Sequence, residues 1–331
     1  MRAVVMRRYG GPEVLRLEEI ADPRPGPGEV MVDVAAAGVN FHDIYERTGR
    51  YPVDLPFVTG IECAGVVRET GRSEAPSETG PREMGFRAGD RVGWVNVPGG
   101  YSERAVVPAD RLVPLPDGMA TETAAAVLLQ GMTAHYLTHA TYPVRPGDTV
   151  LLHAAAGGTG LLIAQLVKRL GGMLIATVST AGKAAVATAA GADEVIRYTE
   201  TEVAPAVRRI TNGRGVDVVF DGVGGPTFEA SLASVRKRGM LVVFGQAGGP
   251  VPALDVQRLN HAGSVYLTRP NLKHYTASRD ELLARAGDVL GWVADGQLQV
   301  RLGGRYPLAD AARAHADLAA RRTTGKLLLL P

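Results

Sequence analysis

The small residues Ala155, Gly157 and Gly160 have the spacing of a turn that binds a phosphate group. They follow the apolar run Thr149–Leu152 and precede a stretch of helical periodicity over residues 161–170. A strand, a glycine turn and a helix in this order predict a βαβ unit whose turn holds the pyrophosphate of a dinucleotide. The missing side chain of Gly157 lets a phosphate approach the backbone amides, and the helix N-terminus adds partial positive charge. The alternative is an ordinary structural turn.

The end of the second predicted strand, Met173–Val178, indicates which dinucleotide this turn accepts. NAD sites usually place an acidic residue about 20 residues after the glycines, but Ser179, Thr180 and Lys183 follow the strand here. Hydroxyls and a cation suit a 2′-phosphate, and Tyr198 could cover the same pocket. We therefore expect NADPH rather than NADH. The alternative is that Ser179 and Thr180 cap the next helix while Lys183 is solvated.

Length and charge favour an enzyme with two domains. The 331 residues are enough for two cores. With 36 basic and 34 acidic residues, the net charge of +2 argues against nucleic acid or a membrane as the main partner. The single cysteine, Cys63, excludes an intramolecular disulfide and a four-cysteine zinc site. No apolar run reaches about 20 residues and no signal-peptide pattern is present, so we expect a cytoplasmic protein.

Pattern changes along the chain predict its domains. Short β-like runs between Gly and Pro clusters indicate a β-rich region over residues 1–125, and strands alternate with helices over 126–265. That alternation is typical of an α/β fold with a doubly wound parallel sheet. Residues 266–331 return to mixed structure, so the nucleotide domain is inserted between two parts of the β-rich domain. The polar stretch 71–88 is expected to form a mobile surface loop.

The predicted elements are as follows. Strands are expected at Arg2–Met6, 29–37, 63–69, Arg91–Val95, 101–108, 149–153, Met173–Val178, Glu194–Arg197, Val216–Asp221, 240–244, 300–302 and Lys326–Leu330. Helices are expected at 161–170, Arg279–Ala294 and 308–321. The basic run 235–239 is interpreted as a solvated helix end, and Asp221 as a local structural residue at a sheet edge.

Over its whole length the sequence resembles the zinc-free quinone oxidoreductases, the ζ-crystallin branch of the medium-chain dehydrogenase/reductase superfamily. Several runs in order carry the resemblance: AGVNF at 37–41 with Asp43 and Tyr45, Tyr51-Pro52, GIECAG at 60–65, HAAAGGTG at 153–160 and SVYLTRP at 264–270. This combination is far more specific than the glycine turn alone. It implies an α/β fold in which a Rossmann domain accompanies a β-rich, GroES-like catalytic domain.

The resemblance also bears on a metal. Zinc alcohol dehydrogenases of this superfamily carry a cysteine where this chain has Asn40 and a histidine where it has Ile61. A catalytic zinc needs about three protein ligands and an open position, so we expect no metal. His42, Glu62 and Cys63 could be imagined as ligands, but their spacing matches no familiar site. We expect Cys63 to be a small buried residue of a strand.

Without a Lewis acid, quinones and activated alkenes are easier hydride acceptors than simple ketones, because the developing negative charge is delocalised. Such a site needs hydrogen-bond donors aimed at the developing oxyanion. The resemblance places Asn40, Tyr45 and Tyr51 in the substrate cleft, and we predict that these three are the catalytic residues. The alternative for the tyrosines is half-buried packing with solvated hydroxyls. The proton donor is left open, since water could serve.

The resemblance implies further contacts to NADPH. These residues are Gly157, Gly158 and Thr159 at the pyrophosphate, Ser179, Thr180, Lys183 and Tyr198 around the adenosine phosphate, Phe244, Gln246 and Thr268 at the nicotinamide, and Arg321 from the C-terminal helix. His135 departs from the family, because relatives often carry a tyrosine there beside the cofactor. A neutral histidine still donates one hydrogen bond. The alternative is that His135 is a helix-surface residue.

Two other functions stay open. The same scaffold and metal-free site would serve an NADPH-dependent enone or alkenal reductase equally well. From a different class, some ζ-crystallin relatives are lens proteins or bind RNA, although the sequence lacks an interleaved aromatic and basic stripe. The expected partners are a small quinone or enone and a second copy of the chain. By resemblance, the homodimer would be joined through an edge strand at residues 264–270.

Overall fold

The computed structural model describes residues 1–71 and 85–331. They form two compact units, one of Met1–Leu129 with Thr276–Pro331 and one of Gln130–Tyr275. Of the loop predicted at 71–88, positions 72–84 lie outside the described residues. No helix in the described part of the chain combines the length and apolarity that a membrane span requires.

The strands, in chain order, are β1 Arg2–Met6, β2 Leu15–Glu19, β3 Glu29–Val39, β4 Phe57–Val58, β5 Glu62–Thr70, β6 Arg91–Val95, β7 Arg104–Pro108, β8 Leu112–Pro114, β9 Thr149–Leu152, β10 Met173–Val178, β11 Glu194–Arg197, β12 Val216–Asp221, β13 Val235–Val243, β14 Tyr266–Thr268, β15 Leu302–Pro307 and β16 Lys326–Leu330. The helices are α1 Phe41–Arg47, α2 Thr121–Tyr136, α3 Gly158–Arg169, α4 Ala181–Ala189, α5 Val203–Ile210, α6 Gly225–Ser234, α7 Gln257–His261, α8 Leu272–Tyr275, α9 Arg279–Ala294 and α10 Ala311–Ala319.

The first unit is built around β3. In the sheet order β15-β16-β3-β5-β6-β8, β3 pairs with β5 and β16, and β7 pairs with β3 off this path. A second sheet of the described residues has the order β2-β1-β4. Buried side chains such as Val32, Trp94, Leu112 and Leu329 belong to one apolar core. At Gly65 on β5 a Cβ atom would lie 2.0 Å from the carbonyl oxygen of Asp33, so the close approach of β3 and β5 requires glycine.

The second unit confirms the predicted doubly wound parallel sheet. Its strand order is β11-β10-β9-β12-β13-β14, and each neighbouring pair is parallel. From β9 the chain proceeds through β10 to β11 on one side, then returns to β12 on the other. Strands such as β9 and β12 are buried throughout, as expected for parallel strands covered on both faces. The crevice between the carboxyl ends of β9 and β12 is therefore where such sheets bind ligands.

The turn after β9 needs glycine for packing. A Cβ atom on Gly160 would lie 2.5 Å from the carbonyl oxygen of Ala154 and 2.9 Å from the Cα atom of Ala155. Because both contacts are with backbone, a side chain there would push α3 away from the turn. The first turn of α3 can therefore lie directly against the end of β9 only with glycine at this position.

Seven predicted elements have the observed bounds: Arg2–Met6, Arg91–Val95, Met173–Val178, Glu194–Arg197, Val216–Asp221, Arg279–Ala294 and Lys326–Leu330. The strand predicted at 300–302 is wrong, since β15 begins at Leu302. Gly303 and Gly304 hide that strand in the sequence, yet a Cβ on Gly303 would lie 2.1 Å from the carbonyl oxygen of Thr324. Residues 235–239 are not a helix end either. They open β13, because α6 stops at Ser234 and Val235 already pairs with Val216; a register shift then separates this pair from the next one, Val218 with Met240.

The units divide after Leu129 and after Tyr275, whereas the sequence places boundaries after residues 125 and 265. Helix α2 continues without a break through the first of these regions, so composition alone does not mark the division. At the second, β14 and α8 still belong to the unit that contains the parallel sheet.

Candidate functional site

The N-terminus of α3 supplies unpaired helix amides at the edge of the parallel sheet. The first hydrogen bond within this helix region runs from the Leu161 N–H to the Gly157 carbonyl, at 2.9 Å. The N–H groups of Gly158 and Thr159 precede it, so helix geometry gives them no partner inside the helix. Gly157 caps the helix in an extended conformation. The three residues predicted at the pyrophosphate thus lie together at an anion-attracting helix end.

The end of β10 carries polar groups and no carboxylate. Thr180 is the N-cap of α4, and its hydroxyl oxygen accepts a 3.3 Å hydrogen bond from the Lys183 N–H. The carbonyl of Ser179 accepts from the Thr199 hydroxyl at 3.0 Å. Tyr198 is 46% exposed. The capping alternative is therefore confirmed for Thr180, but a hydroxyl that accepts one bond still has a hydrogen to donate to a phosphate.

The residues predicted at the nicotinamide follow neighbouring strands of the same sheet. Phe244 comes directly after β13, and its N–H donates to the Asp221 carbonyl at 2.8 Å. A Cβ atom on Gly222 would lie 2.8 Å from the Phe244 ring, so glycine is what lets that ring lie over the end of β12. Gln246 lies in the loop that follows, and Thr268 ends β14.

Two predicted cofactor residues have different surroundings. His135 is buried, at 7% exposure, and its ring stacks on His139 with centroids 4.6 Å apart. The alternative that placed His135 on a helix surface is therefore wrong, because the ring is packed inside the unit that holds the parallel sheet. Arg321 belongs to the other unit, where it is exposed just beyond α10 with a φ of 55°. The cofactor roles of both stay predictions.

Below the glycine turn lies a buried polar network that the sequence did not reveal. The two ring nitrogens of His153 contact the hydroxyls of Thr177, at 2.9 Å, and Ser231, at 3.0 Å. Ser231 donates onward to Asp221 at 2.7 Å, and burial lowers the pKa of His153. Asp221 also accepts the N–H groups of Val223 and Gly224. Its interpretation as a local structural residue is confirmed, and the network ties the ends of β9, β10 and β12 together.

In the first unit a buried ion pair lies beside Asn40. The Lys326 ammonium, on a side chain 1% exposed, forms a salt bridge with Glu62, which is fully buried. It also donates to the Asn40 side-chain oxygen at 2.7 Å. The other Glu62 oxygen accepts the backbone N–H of Leu129 at 2.7 Å. We call Asn40, Glu62 and Lys326 the lysine cluster. The sequence signal for it was a lysine opening the otherwise apolar strand β16.

The lysine cluster fixes which way the Asn40 amide faces. Its oxygen must face the ammonium of Lys326, and its nitrogen donates to the Gly38 carbonyl at 3.1 Å and to Glu62 at 3.0 Å. Both amide hydrogens are therefore engaged by the protein. To donate to a substrate oxygen, Asn40 would have to release one of these acceptors. The side chain is rigidly held, and its catalytic role stays a prediction.

Helix α1 and the segment that follows it form an aromatic cluster of Phe41, His42, Tyr45 and Tyr51. The Tyr45 and Tyr51 rings meet edge to face with centroids 5.2 Å apart, and His42 meets Tyr51 in the same way at 5.1 Å. Tyr45 is buried and Tyr51 half-buried, while the Arg50 guanidinium lies 5.2 Å from the Tyr45 ring centroid. Both predicted tyrosines thus belong to one apolar wall that carries a polar rim.

Behind α1 lies a second buried polar group that sequence analysis did not identify. Asp43 accepts the Asn40 N–H and the Tyr101 hydroxyl, each at 2.8 Å, and Tyr101 also contacts His315 Nε2 at 3.1 Å. Burial, reinforced by the charge of Glu46, raises the pKa of Asp43 to about 7. Burial likewise lowers the pKa of His315 to about 3, since an imidazolium there would lack solvent.

The side chains of His42, Glu62 and Cys63, considered above as imaginable metal ligands, do not form a metal site. Within residues 1–71 and 85–331, no group of three His, Cys, Asp or Glu side chains is arranged to hold a metal ion. Glu62 is engaged by Lys326, and His42 by Glu46. Cys63 is a buried residue of β5, as expected, and burial raises the pKa of its thiol well above the ordinary value.

Comparisons with known proteins agree with these features. Residues 26–117 match the family described as the alcohol dehydrogenase GroES-like domain, and residues 190–329 match one described as zinc-binding dehydrogenase. A quinone oxidoreductase of Pseudomonas aeruginosa is 46% identical over 98% of this chain and 97% of its own length. The chain belongs to the quinone oxidoreductase family of the medium-chain dehydrogenase/reductase superfamily.

Two further proteins are similar to this chain over its whole length. The crystal structure of an Escherichia coli quinone oxidoreductase complexed with NADPH superposes with a TM-score of 0.95, at 40% identity and with full coverage of both chains. A 2-haloacrylate reductase of a Burkholderia species is 39% identical over 99% of this chain and 98% of its own length. The expected α/β fold with a Rossmann sheet and a GroES-like domain is confirmed.

The lysine cluster predicts a large stability effect. Replacing Lys326 with methionine leaves the Glu62 carboxylate buried without its cation, so we expect a loss of about 3–5 kcal/mol in the free energy of unfolding. Urea titration followed by tryptophan fluorescence measures this loss. The fluorescence reports on the first unit, which contains Lys326, because both tryptophans, Trp94 and Trp292, belong to that unit. Adding Glu62→Gln to the same protein should recover part of the loss. An Arg7→Met variant, which breaks only an exposed pair with Glu18, should unfold like the wild type.

The pKa of Asp43 predicts a pH effect on stability. Its folded value, about 7, lies above the ordinary 3.8, so between these values the folded chain keeps a proton that the unfolded chain releases. Its contribution to stability is therefore present below about pH 4 and is lost as pH rises toward 7. An Asp43→Asn variant lacks this loss and should gain stability relative to the wild type across that range. The lowered pKa of His315 makes stability change with pH in the opposite direction. This contribution is present in both the wild type and the variant, so it cancels in the difference between their free energies of unfolding. A difference that does not change with pH would contradict the assignment.

Proposed function

We propose that this protein is an NADPH-dependent quinone oxidoreductase that transfers a hydride to a quinone without a metal ion. The observation that carries the proposal is that the likeness to quinone oxidoreductases extends over essentially the whole chain, rather than over the nucleotide domain alone. A shared Rossmann sheet would support only a shared cofactor.

The residues of the second unit fit NADPH. The amides at the start of α3 suit the pyrophosphate, and the hydroxyls of Ser179 and Thr180 with the Lys183 ammonium suit a 2′-phosphate. No carboxylate stands at the end of β10, where one would repel that phosphate. NADPH, when bound, supplies the hydride. Phe244, Gln246 and Thr268 are assigned to the nicotinamide end by the family resemblance, and they lie at or just beyond the carboxyl ends of the neighbouring strands β13 and β14.

On the acceptor side we assign the aromatic cluster. Tyr45 and Tyr51 offer hydroxyl donors beside apolar ring faces, which suits a flat acceptor whose oxygen gains negative charge. Asn40 lies at the start of the same helix, where the lysine cluster holds it in place. The ammonium of Lys326 is paired with Glu62, so the cluster positions the helix rather than polarising the acceptor.

A second candidate is reduction of an activated alkene. The full-length relative described as a 2-haloacrylate reductase favours it, because such an acceptor is also reduced by hydride addition next to a group that delocalises charge. The same tyrosines would then face an enolate oxygen instead of a hydroquinone oxygen. A structural or RNA-binding role has no comparable support from the site.

We further propose that the enzyme acts in the cytoplasm as a homodimer. Strand β14 is the edge of the parallel sheet, as the resemblance implies, and its Tyr266 is 62% exposed. An exposed edge strand with an aromatic side chain can pair with a second copy of itself about a two-fold axis. A single buried cysteine is compatible with a reducing compartment.

The assay that tests the function monitors loss of reduced nicotinamide absorbance in chelator-treated protein. An ortho-quinone and an enone are offered separately, each with NADPH and with NADH. We expect fast oxidation of NADPH with the quinone and slower oxidation of NADH. Turnover with the enone alone would replace the quinone assignment by alkene reduction. No oxidation with either acceptor would reject both.

A carboxylate at the end of β10 should reverse the nucleotide preference. Ser179→Asp places a negative charge where the 2′-phosphate is assigned, so we expect NADPH affinity to fall about 10- to 100-fold, the range of one charge-assisted hydrogen bond. Fluorescence titration of the reduced nucleotide measures this without turnover, and NADH should bind at least as well as before. Ser179→Asn is the matched control, because it changes size without adding charge. Equal weakening by both variants would contradict the phosphate assignment.

A further inference from the structure

We propose that His42 is the proton donor of the reaction, a role that rests on the proposed reduction of a quinone. Reduction of a quinone by hydride leaves a negative oxygen that must gain a proton. The proposed function leaves the source of this proton open. His42 is the imidazole side chain of the aromatic cluster that we propose faces the acceptor.

The carboxylate of Glu46 holds the His42 ring. The Nε2 atom of His42 lies 3.3 Å from Glu46 Oε1, one helical turn along α1. Glu46 is buried at 7% exposure, and its other oxygen accepts the Thr59 hydroxyl at 2.5 Å. A buried carboxylate that is itself held in place orients the imidazole that it contacts. The three side chains therefore form a relay in which each member fixes the next.

His42 also lies where a donor is needed. Its ring meets the Tyr51 ring at 5.1 Å, and Tyr51 meets Tyr45, so the imidazole belongs to the same wall as both tyrosines. Since Nε2 faces Glu46, Nδ1 is the nitrogen left to address an acceptor. The side chain is 27% exposed, which gives it access to water for replacement of the proton.

The surroundings of α1 favour His42 over Asp43 as the proton donor. Asp43 is fully buried, and its Oδ2 atom already accepts the Asn40 N–H and the Tyr101 hydroxyl. It has no route to solvent comparable to that of His42. The guanidinium of Arg50 lies over the Tyr45 ring and adds positive charge that favours an anionic oxygen near the same wall.

The step balances in atoms and electrons. The quinone takes up the electron pair and hydrogen of the hydride, and one of its oxygens becomes an anion. The imidazolium N–H bond of His42 breaks as an O–H bond forms on that oxygen, which gives the hydroquinone and neutral histidine. Water then returns one proton to His42, so the sum is one quinone, one NADPH and one proton converted to one hydroquinone and one NADP⁺.

The test compares wild type with His42→Gln and His42→Ala in the quinone assay. Glutamine retains a polar side chain but cannot deliver a proton, so we expect kcat to fall at least about 10²-fold, the lower end for general acid catalysis. The dissociation constant of NADPH, measured by nucleotide fluorescence, should not change. Added imidazole should restore part of the kcat of His42→Ala. His261→Gln, an exposed histidine of α7, is the matched control and should behave as wild type.

A series of quinones separates proton donation from a structural role. Electron-withdrawing substituents make the reduced oxygen less basic, so the defect of His42→Gln should shrink along the series. An unimpaired variant, or an equal defect with every quinone and no rescue by imidazole, would overturn the role of His42 while leaving quinone reduction intact. A wild type that leaves NADPH unoxidised with every quinone would instead overturn the proposed function, and the role of His42 with it.

Discussion

The architecture of the first unit depends on one buried charge pair. Lys326 and Glu62 are both removed from water, and neither could stay charged there alone without a cost of several kcal/mol. Their pairing is reinforced by Asn40 and by the Leu129 N–H. Four elements therefore meet at this point: β16, β5, the start of α1, and α2. Because the charge must stay compensated, this point cannot move without moving all four elements together.

The position of α1 follows from that constraint. The helix has only seven residues, too few to be stable by itself, so its orientation comes from buried polar contacts at Asn40 and Asp43. Those contacts set where Tyr45 and the flanking Tyr51 lie. In the second unit the edge of the parallel sheet is held differently, by backbone amides and by the hydrogen bonds of His153 to Thr177 and Ser231. One unit thus uses a buried ion pair for rigidity, whereas the other uses a chain of hydrogen bonds from His153 through Ser231 to Asp221.

The sequence predicts features that depend on neighbouring residues, but it does not predict contacts between residues far apart in the chain. The glycine turn and the strands β10, β11 and β12 are local patterns, and the structure has each of them as predicted, whereas the start of β13 was predicted wrongly. The lysine cluster joins residues 264 positions apart, and the contact of Tyr101 with His315 spans 214. No local pattern carries such pairings, because they depend on how β16 and α10 return to the first strands. Gly303 and Gly304 misled in the opposite way, by hiding a strand whose close packing requires them.

The compensated charge also bears on how a metal-free site can reduce its acceptor. A zinc ion offers an unbalanced positive charge to a substrate oxygen, but the charge of Lys326 is balanced by Glu62, and its ammonium donates to Asn40 and Glu62. It cannot take the place of a Lewis acid. The negative charge on the acceptor must then be met by hydrogen-bond donors and removed by a proton. That requirement turns attention from Asn40, whose amide is fully engaged, to the hydroxyls of Tyr45 and Tyr51 and the imidazole of His42.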